Sequence, residues 1–323
     1  MRYLRSILVL AAVLATALVF AACGDDDDDK GDAGGGGASA QAIKKNDANS
    51  GKSLTIGSKN FTEQKVLGEI YAQAFEAAGY TVKTELSLGD ENIALKAVKS
   101  GQVDAYPEYT GTALLSFFNV KDADLPKEAG PAFELAKSNF AKDGLTALPP
   151  TPFTSSNEVG LTGDKATELG VKTISDLEGK SEDLTLYGSP ECRQRRDCLL
   201  GLQQVYGLKF KEFKPVAIDL RHEVLDRGQA DLSIVFTTDP QIKRNKEVLL
   251  EDDKGMFPPY NSTLVFKDAA LEKAGPDVQT VVNQVNKGLT DDVMQELNAR
   301  VDLDKKQPSA VAGEYLKETG LVG

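Results

Sequence analysis

Tryptophan is absent from this 323-residue chain, histidine occurs once, and cysteine occurs three times. A single histidine, His222, argues against a His-rich metal site and against a Ser/His hydrolase, because both need imidazole groups at defined positions. Basic residues are also in deficit, with 37 Lys and Arg against 49 Asp and Glu and a formal net charge of −12. Nucleic-acid-binding proteins need a basic surface for counterion release, so this balance argues against that class and favours cationic small molecules as partners.

The chain does have length and apolar content. Its 323 residues, 41% of them hydrophobic, suffice for two domains or one large domain with a real core. Neither a disordered chain nor a scaffold held only by disulfides is needed to explain the composition.

The N-terminus has the pattern of a targeting segment. Arg2 and Arg5 precede an uncharged run that closes on small residues and Cys23. This pattern is typical of an export signal, and the alternative is an uncleaved single-span anchor, since the run is just long enough to cross a bilayer. The ending resembles a bacterial lipobox with Phe20 in place of the usual Leu, which implies that Cys23 is lipidated. We therefore expect residues 1–22 to be a lipoprotein signal peptide and the remainder to lie at the outer face of the cytoplasmic membrane.

The segment that follows is poor in core-forming residues. Residues 23–51 contain five consecutive aspartates, a run of four glycines and a mixture of Ser, Ala, Lys and Asn. We expect this segment to be a flexible tether that links the lipid anchor to the folded part. No later segment approaches about 18 consecutive apolar residues, so we expect no membrane crossing downstream.

From Leu54 onwards, short strands alternate with amphipathic helices. Residues 54–56 form a predicted strand, and apolar residues then recur at helical spacing up to Gly79. Residues 81–86 alternate as a strand, residues 90–99 form a helix capped by its first Asp, and residues 103–106 form the next strand. This β-α-β-α-β order predicts an α/β layer with a mostly parallel sheet and a ligand site at the carboxyl ends of its strands.

The same pattern occurs twice along the chain. Leu184–Ser189 repeats the pattern of Leu54–Ser58, and Val224–Asp231 repeats that of Ala97–Asp104. In both copies an aromatic residue followed by Thr stands eight residues after the glycine of a Gly-Gln-X-Asp motif. Two similar lobes explain the repeat most simply, although Gly-Gln-X-Asp is also a common way to stop a helix before a strand.

One proline cluster lies between the two copies and another follows the second copy. Proline fixes φ and removes a donor, so Pro149–Pro152 and Pro258–Tyr260 suit stiff crossovers better than sheet interiors. We expect residues 52–150 together with 260–323 to form a first lobe, and residues 151–259 to form a second lobe inserted into it. Two lobes on two connections make a clamshell that can close on a ligand.

Five motifs carry a resemblance to a known family. They are GSKNFTEQ (57–64), GQVDAYPEYTGT (101–112), KTISDL (172–177), VFTTD (235–239) and LEDDKGMFPPYN (250–261). Together and in this order they resemble the osmoprotectant substrate-binding proteins of ABC transporters, which capture glycine betaine, choline, carnitine or proline betaine. The resemblance implies a periplasmic-binding-protein-like clamshell and a non-enzymatic receptor that delivers its solute to a separate ABC permease subunit.

The resemblance also implies the residues that enclose the cation. A quaternary ammonium group donates no hydrogen bonds, so recognition depends on aromatic faces, each worth about 2 kcal/mol when desolvated. Four tyrosines form the cage in the family, and the matching positions here are Tyr109, Asn157, Phe236 and Tyr260. Phe236 keeps the π face, whereas Asn157 has no ring and is expected to leave the cage open on one side.

Other positions match those that meet the carboxylate of a betaine. The family uses positions that match Lys59, Thr112 and Arg195, and Arg is suited to two parallel charge-assisted bonds with a carboxylate. The start of the helix after Lys59 adds backbone N–H donors, and Gln64 is also expected to contact the ligand there. The resemblance implies no catalytic residue, no metal and no cofactor.

Cys192 and Cys198 flank Arg195. If Cys23 carries lipid, an even pair remains in an exported protein, which favours a disulfide that closes a small loop. A metal site is one alternative, although two thiols without a nearby His give too few ligands. A reduced, inert pair is the other.

Two further interpretations of the function stay open at this stage. Asp104 and Glu108 are two carboxylates near Tyr106 and Tyr109, as an acid/base pair of a glycosidase would be, but Asp104 also fits a structural role at the repeated helix-to-strand junction. The second interpretation keeps the receptor and changes the ligand to ergothioneine or an amino-acid betaine, because Asn157 replaces a cage tyrosine.

Overall fold

The computed structural model describes residues 41–323. The predicted signal peptide, Cys23 and most of the predicted tether lie outside the described residues. Within this described range, ten strands form two separate five-stranded sheets. In chain order they are β1 (Ser53–Gly57), β2 (Thr81–Glu85), β3 (Ala105–Tyr109), β4 (Leu145–Ala147), β5 (Asn157–Thr162), β6 (Thr185–Gly188), β7 (Glu212–Pro215), β8 (Leu232–Phe236), β9 (Glu247–Leu250) and β10 (Ser262–Lys267).

The two sheets have the same topology. The first sheet has the order β2-β1-β3-β10-β4 and the second has the order β7-β6-β8-β5-β9. Strands β10 and β5 occupy the equivalent fourth position, and each runs antiparallel to both of its neighbours. The other pairings are parallel. The two-lobed α/β class is confirmed, but each sheet is mixed, because the strand that follows a crossover between the lobes, β5 or β10, runs antiparallel to its neighbours.

Helices cover the faces of both sheets. They are α1 (Thr62–Ala77), α2 (Glu91–Ser100), α3 (Thr110–Thr112), α4 (Ala129–Lys142), α5 (Gly163–Leu169), α6 (Leu199–Val205), α7 (Glu223–Asp226), α8 (Pro240–Asn245), α9 (Asp268–Ala274), α10 (Asp277–Asn286), α11 (Asp291–Asp302) and α12 (Pro308–Glu318). Within residues 41–323, we find no helix that combines the length and the apolar character needed to cross a membrane.

Helix α2 begins and ends as its sequence predicts. The Asp90 side chain accepts hydrogen bonds from the backbone N–H groups of Asn92 and Ile93, so it satisfies two donors at the helix start. Gly101 ends the helix in the left-handed conformation, with φ of 79°. The strand expected over residues 103–106 begins later, at Ala105, because Asp104 is held by a different contact.

That contact is the same in both lobes. Asp104 accepts a hydrogen bond from Thr55 N at 2.8 Å, and Asp231 accepts one from Thr185 N, also at 2.8 Å. In each lobe the carboxylate ties the end of a Gly-Gln-X-Asp turn to the strand at the second position of the sheet, β1 or β6. The repeated motif is therefore a repeated structure, and its Asp has a structural role.

The two proline-rich segments that connect the lobes lie side by side. Thr151 N donates to Ser262 O at 2.8 Å, and Ser155 N donates to Tyr260 O at 3.1 Å. Thr154 lies opposite Asn261 as an isolated antiparallel bridge. The two crossovers thus pair with each other in a short ribbon. The exact lobe boundaries stay a prediction.

The core of the first lobe lies on both faces of its sheet. Along β10, Leu264 and Phe266 join a cluster with α1 and the C-terminal helices, whereas Val265 joins a cluster with α4 on the other face. This alternation is the period-2 pattern of a strand that is buried on both sides. The second lobe has its own cluster around β5, β6 and β8. Each lobe is therefore stabilised by its own core.

Candidate functional site

A cavity of about 60 Å³ lies where residues of the two lobes meet. Tyr109 ends β3, Phe236 ends β8, Asn157 begins β5 and Tyr260 precedes β10. Loops at the ends of these strands complete the wall. The cavity thus lies at the carboxyl ends of the central parallel strands, which is the edge that the β-α-β order favours for a ligand.

Seven of the eight expected ligand-binding residues line this cavity. Gln64 does not: its amide oxygen accepts a long hydrogen bond of 3.4 Å from Lys59 N, and its amide nitrogen is buried without a partner. Gln64 is fully buried because it lies on the inward face of α1. The seven that line the cavity are Lys59, Tyr109, Thr112, Asn157, Arg195, Phe236 and Tyr260.

Phe61 also lines the cavity, although it was not expected there. Its ring centroid lies 5.4 Å from that of Phe236 and 6.3 Å from that of Tyr109. Phe61 therefore joins a ring of the second lobe to a ring of the first. The residue belongs to the GSKNFTEQ motif and stands directly before α1, so its position at a helix start gave a signal that could have identified it.

Two aromatic rings of the site already face protein cations. The Lys59 ammonium lies 4.6 Å from the centroid of the Tyr109 ring, and the Arg221 guanidinium carbon lies 4.6 Å from the centroid of the Phe236 ring. The Lys59 ammonium also forms a buried ion pair with Glu108. Arg221 is a further residue that the sequence interpretation missed. These contacts demonstrate that the ring faces accept positive charge.

Buried hydrogen bonds orient Tyr109. Its hydroxyl donates to Glu63 at 2.6 Å, and the other oxygen of Glu63 accepts from Asn298 at 3.0 Å. Burial raises the pKa of the Glu63 carboxyl above its ordinary value, and these hydrogen bonds oppose that rise. Since α11 supplies Asn298, the C-terminal helices hold the ring from behind.

Arg195 is held by acidic groups from both lobes. Its guanidinium binds both oxygens of Asp197, and its Nη1 lies 3.4 Å from a carboxylate oxygen of Glu91 at the start of α2. Tyr260 donates its hydroxyl proton to the same Asp197 carboxylate at 2.6 Å. Burial alone would raise the pKa of Asp197, but the Arg195 charge together with the hydrogen bonds from Arg195 and Tyr260 holds that pKa below its usual value. The Arg195 side chain is therefore fixed in position and partly exposed to the cavity.

Asn157 and Thr112 supply uncharged polar groups. The Asn157 side chain donates to the backbone carbonyl of Asp197 at 2.9 Å. The Thr112 hydroxyl makes no hydrogen bond to any other residue of the described range. Both residues are buried, at 7% and 4% exposure. Thr112 can therefore offer its hydroxyl to a bound solute.

The single histidine is part of a network behind Phe236. His222 lies between Asp239 and Glu247, with ring nitrogens 2.8 Å from an oxygen of each. The same Asp239 oxygen accepts a hydrogen bond from Phe236 N, and Arg221 binds both oxygens. Burial raises the pKa of Asp239, whereas the Arg221 charge and the hydrogen bonds from His222 and Arg221 lower it. The net result is a pKa below the usual value. This network fixes the backbone at Phe236, a structural role for the histidine.

The Sγ atoms of Cys192 and Cys198 are bonded, and both cysteines line the cavity. The closed loop between them carries Arg195 and Asp197. The covalent link therefore restricts the segment that presents the guanidinium to the cavity.

The two carboxylates of the glycosidase interpretation do not line the cavity. Asp104 binds Thr55 N, and Glu108 is paired with Lys59 and accepts a hydrogen bond from Tyr106 at 3.0 Å. Each of these two carboxylates thus has structural partners, and the wall of the cavity consists of aromatic rings, basic groups, polar side chains and the other carboxylates Asp90, Glu91 and Glu191. Such a fold and site define the class of two-lobed solute-binding proteins.

Comparison with known proteins identifies the family. The family described as the substrate binding domain of ABC-type glycine betaine transport systems matches residues 52–318, so the chain belongs to it. This family consists of transport receptors, which agrees with the resemblance carried by the five sequence motifs.

Individual relatives cover most of the chain. The chain is 32% identical over 282 residues to the glycine-betaine-binding protein of Pseudomonas aeruginosa, covering 84% of this chain and 89% of that protein. It is 29% identical over 286 residues to the ergothioneine transport permease/ergothioneine binding protein of Helicobacter pylori, covering 88% of this chain and 51% of that relative. A crystal structure of a glycine betaine/carnitine/choline ABC transporter aligns with a TM-score of 0.67 at 25% identity, covering 82% of this chain and 98% of that one.

Proposed function

We propose that this chain is the extracytoplasmic, lipid-anchored receptor of an ABC importer, and that it binds a small quaternary-ammonium solute in the cavity between its lobes. The observation that carries the proposal is the group of aromatic rings from both lobes that line one cavity. Tyr109 and Phe236 end two strands of different lobes, Tyr260 lies in a crossover just before β10, and Phe61 joins them. A trimethylammonium group fits such walls because ring faces attract a cation that cannot donate hydrogen bonds.

Charge in and around the cavity favours a cation. Each basic group of the wall already faces at least one carboxylate, so a bound ammonium group would face an excess of acid. Burial raises the pKa of Glu91, and the Arg195 charge opposes this rise. The carboxylates on the wall or bound to wall residues are Glu63, Asp90, Glu91, Glu108, Glu191, Asp197 and Asp239.

The other end of a betaine has suitable partners in Arg195, Thr112 and Lys59. Asp197 occupies two nitrogens of Arg195 and leaves Nη1 beside Glu91 at 3.4 Å, where a ligand carboxylate could take over the contact. The Thr112 hydroxyl can donate to the same group. A zwitterion would thus bind with its cation among the rings and its carboxylate near α2.

A ligand screen on the purified full chain tests this proposal. We expect glycine betaine, choline, carnitine or ergothioneine to raise the unfolding temperature, and glycine to leave it unchanged, with the ligand recovered intact afterwards. Phe236→Ala should weaken binding about 30-fold, because one desolvated ring is lost. Phe210→Ala removes a half-buried ring of the same lobe outside the cavity and should bind normally. No shift with any quaternary amine would refute the proposal.

The lipid anchor has its own test. Cys23→Ala should abolish incorporation of a radiolabelled fatty acid and release the protein from the membrane fraction, because the sulfur that would carry the lipid group is lost. Cys192→Ala is the matched control and should keep the label. Fatty-acid labelling that persists in Cys23→Ala would refute lipidation at this residue.

Ergothioneine or another amino-acid betaine is the second candidate ligand. Two observations favour it: Asn157 stands at a cage position, and one relative is named for ergothioneine. In this case the receptor role is unchanged and only the solute differs. The same screen separates the candidates by rank of affinity.

A further inference from the structure

Asn157 presents a fixed hydrogen-bond acceptor to the cavity. Its side-chain nitrogen donates to Asp197 O at 2.9 Å, and this bond determines which end of the amide is the oxygen. Within residues 41–323 the Oδ1 atom accepts no hydrogen bond, yet it does not belong to the fully buried atoms without a partner. Since Asn157 lines the cavity, Oδ1 keeps access to the cavity space.

The basic groups of the wall already face acidic partners, while the Thr112 hydroxyl and Nη1 of Arg195 are left for the carboxylate end of a solute. Lys59 is paired with Glu108, Arg195 with Asp197, and Arg221 with Asp239. The groups left to a ligand therefore include acceptors, of which the Asn157 oxygen is uncharged and immobilised by its own amide nitrogen. An acceptor that a ligand seals off from water without replacing its hydrogen bond lowers the affinity of that ligand.

The candidate solutes differ in whether they carry a hydrogen-bond donor that could pair with this acceptor. Glycine betaine has a trimethylammonium group and a carboxylate and no hydrogen-bond donor at all. Choline and carnitine have a hydroxyl group, and ergothioneine has a ring N–H group. Only choline, carnitine and ergothioneine can donate a hydrogen bond to Oδ1 when the cavity closes.

We propose that Asn157 is a specificity-determining residue whose Oδ1 accepts a hydrogen bond from the solute, so that the chain prefers quaternary amines that carry an O–H or N–H donor over donor-free betaines. This inference rests on the proposed function, and it adds the ligand chemistry that the position selects. The tyrosine that the family has at this position supplies a ring in place of the amide acceptor.

Ligand pairs that differ by one donor test the inference. We expect wild type to bind choline about 10-fold more tightly than choline O-methyl ether, and carnitine more tightly than its O-methyl ether, in calorimetric titrations. Asn157→Leu keeps a similar size and removes the acceptor, so both preferences should disappear. Asn157→Asp keeps an acceptor and removes the donor to Asp197, so the preference for the free hydroxyl should remain. Unfolding temperatures without ligand verify that each variant is folded.

Asn157→Tyr provides an opposite test. A fourth ring should tighten binding of glycine betaine up to about 30-fold, while the donor-bearing solutes lose their preference. Unchanged affinities for every ligand would mean that residue 157 does not line the site.

The outcomes distinguish this inference from the proposed function. Equal wild-type affinities within each ligand pair, or a preference that survives in Asn157→Leu, overturn the role of Asn157 and leave the receptor function intact. If no quaternary amine binds to wild type, the receptor proposal fails and the inference fails with it.

Discussion

At the scale of the residue, Asp197 joins three of the expected ligand-binding residues without lining the cavity itself. Its carboxylate binds Arg195 and Tyr260, and its backbone carbonyl accepts the amide of Asn157. The positions of a cation, a ring and an amide thus depend on one buried acid. Removing such a partner leaves a buried guanidinium uncompensated, which is costly.

Phe61 gives the first prediction at this scale. Phe61→Ala should weaken binding of a quaternary amine about 10-fold or more, because its ring contacts both Tyr109 and Phe236 and is lost from the wall. Calorimetric titration measures the change, with Phe210→Ala as the control for loss of a ring elsewhere. Normal affinity in Phe61→Ala would show that this ring only fills space.

Glu158 gives a prediction about pH. Burial, and then the charge of Asp252, raise the pKa of Glu158 to about 8, and one of its oxygens is buried without a partner. Between about pH 5 and pH 8 the unfolded state releases this proton while the folded state keeps it. The stability of the folded state therefore falls as pH rises through this range, by about 1.4 kcal/mol per pH unit at most.

Glu158→Gln should remove this fall in folded-state stability with rising pH. Its free energy of unfolding should depend less on pH between pH 5 and pH 8 than that of wild type, as measured by urea unfolding at several pH values. Glu182→Gln, at an exposed position of the same lobe, should retain the wild-type slope. An identical slope in wild type and Glu158→Gln would show that Glu158 is ionised in the folded protein.

At the scale of the element, the loop between Cys192 and Cys198 presents the guanidinium of the site. Replacing both cysteines with Ser should lower the free energy of unfolding by about 2 kcal/mol, since the closed loop restricts the unfolded chain. Affinity should also fall about 10-fold, because Arg195 and Asp197 lose their constraint. Reductant should reproduce both effects in wild type. Alkylation of both cysteines in wild type without reductant, located by peptide mass mapping, would contradict the bond.

Local patterns predicted much of the fold. The helix stop at Gly101 and the Gly-Gln-X-Asp repeat were visible because they depend on residues close together in the chain. The antiparallel position of β10 was not, since its neighbours β3 and β4 lie far away in sequence.

The residues of the site also divide into those that could be predicted from sequence and those that could not. The positions implied by the family resemblance meet at the cavity, with Gln64 as the exception. The network of Arg221, His222, Asp239 and Glu247 went unnoticed, because tertiary packing brings these charges together and no local pattern marks them.

At the scale of the whole molecule, ion pairs join the lobes outside the aromatic wall. Arg196 of the second lobe binds Asp122 of the first at 2.8 Å and also donates to Val120 O. Arg195 and Glu91 form a second contact of this kind at the cavity. These contacts hold the lobes in their present arrangement.

Asp122→Asn should therefore speed ligand release. We expect the dissociation rate to rise about 2- to 5-fold, with a smaller effect at high salt, because the pair is exposed and screened. Stopped-flow measurements test this, and Asp143→Asn is a matched control that removes an exposed pair with Lys99 inside the first lobe. Equal rates for the two variants would exclude a role for Asp122 in closure.

The late position of β10 in the chain sets an order of events during synthesis, because this strand of the first sheet follows the whole second sheet. All five strands of the second sheet come from the continuous stretch 157–250, so this sheet is complete as soon as that stretch is available. The first sheet must wait for β10, without which β4 has no neighbour in it. A growing or translocating chain would thus finish its inserted half before the half that surrounds it, and would expose the unfilled edge of β3 until residues 262–267 arrive.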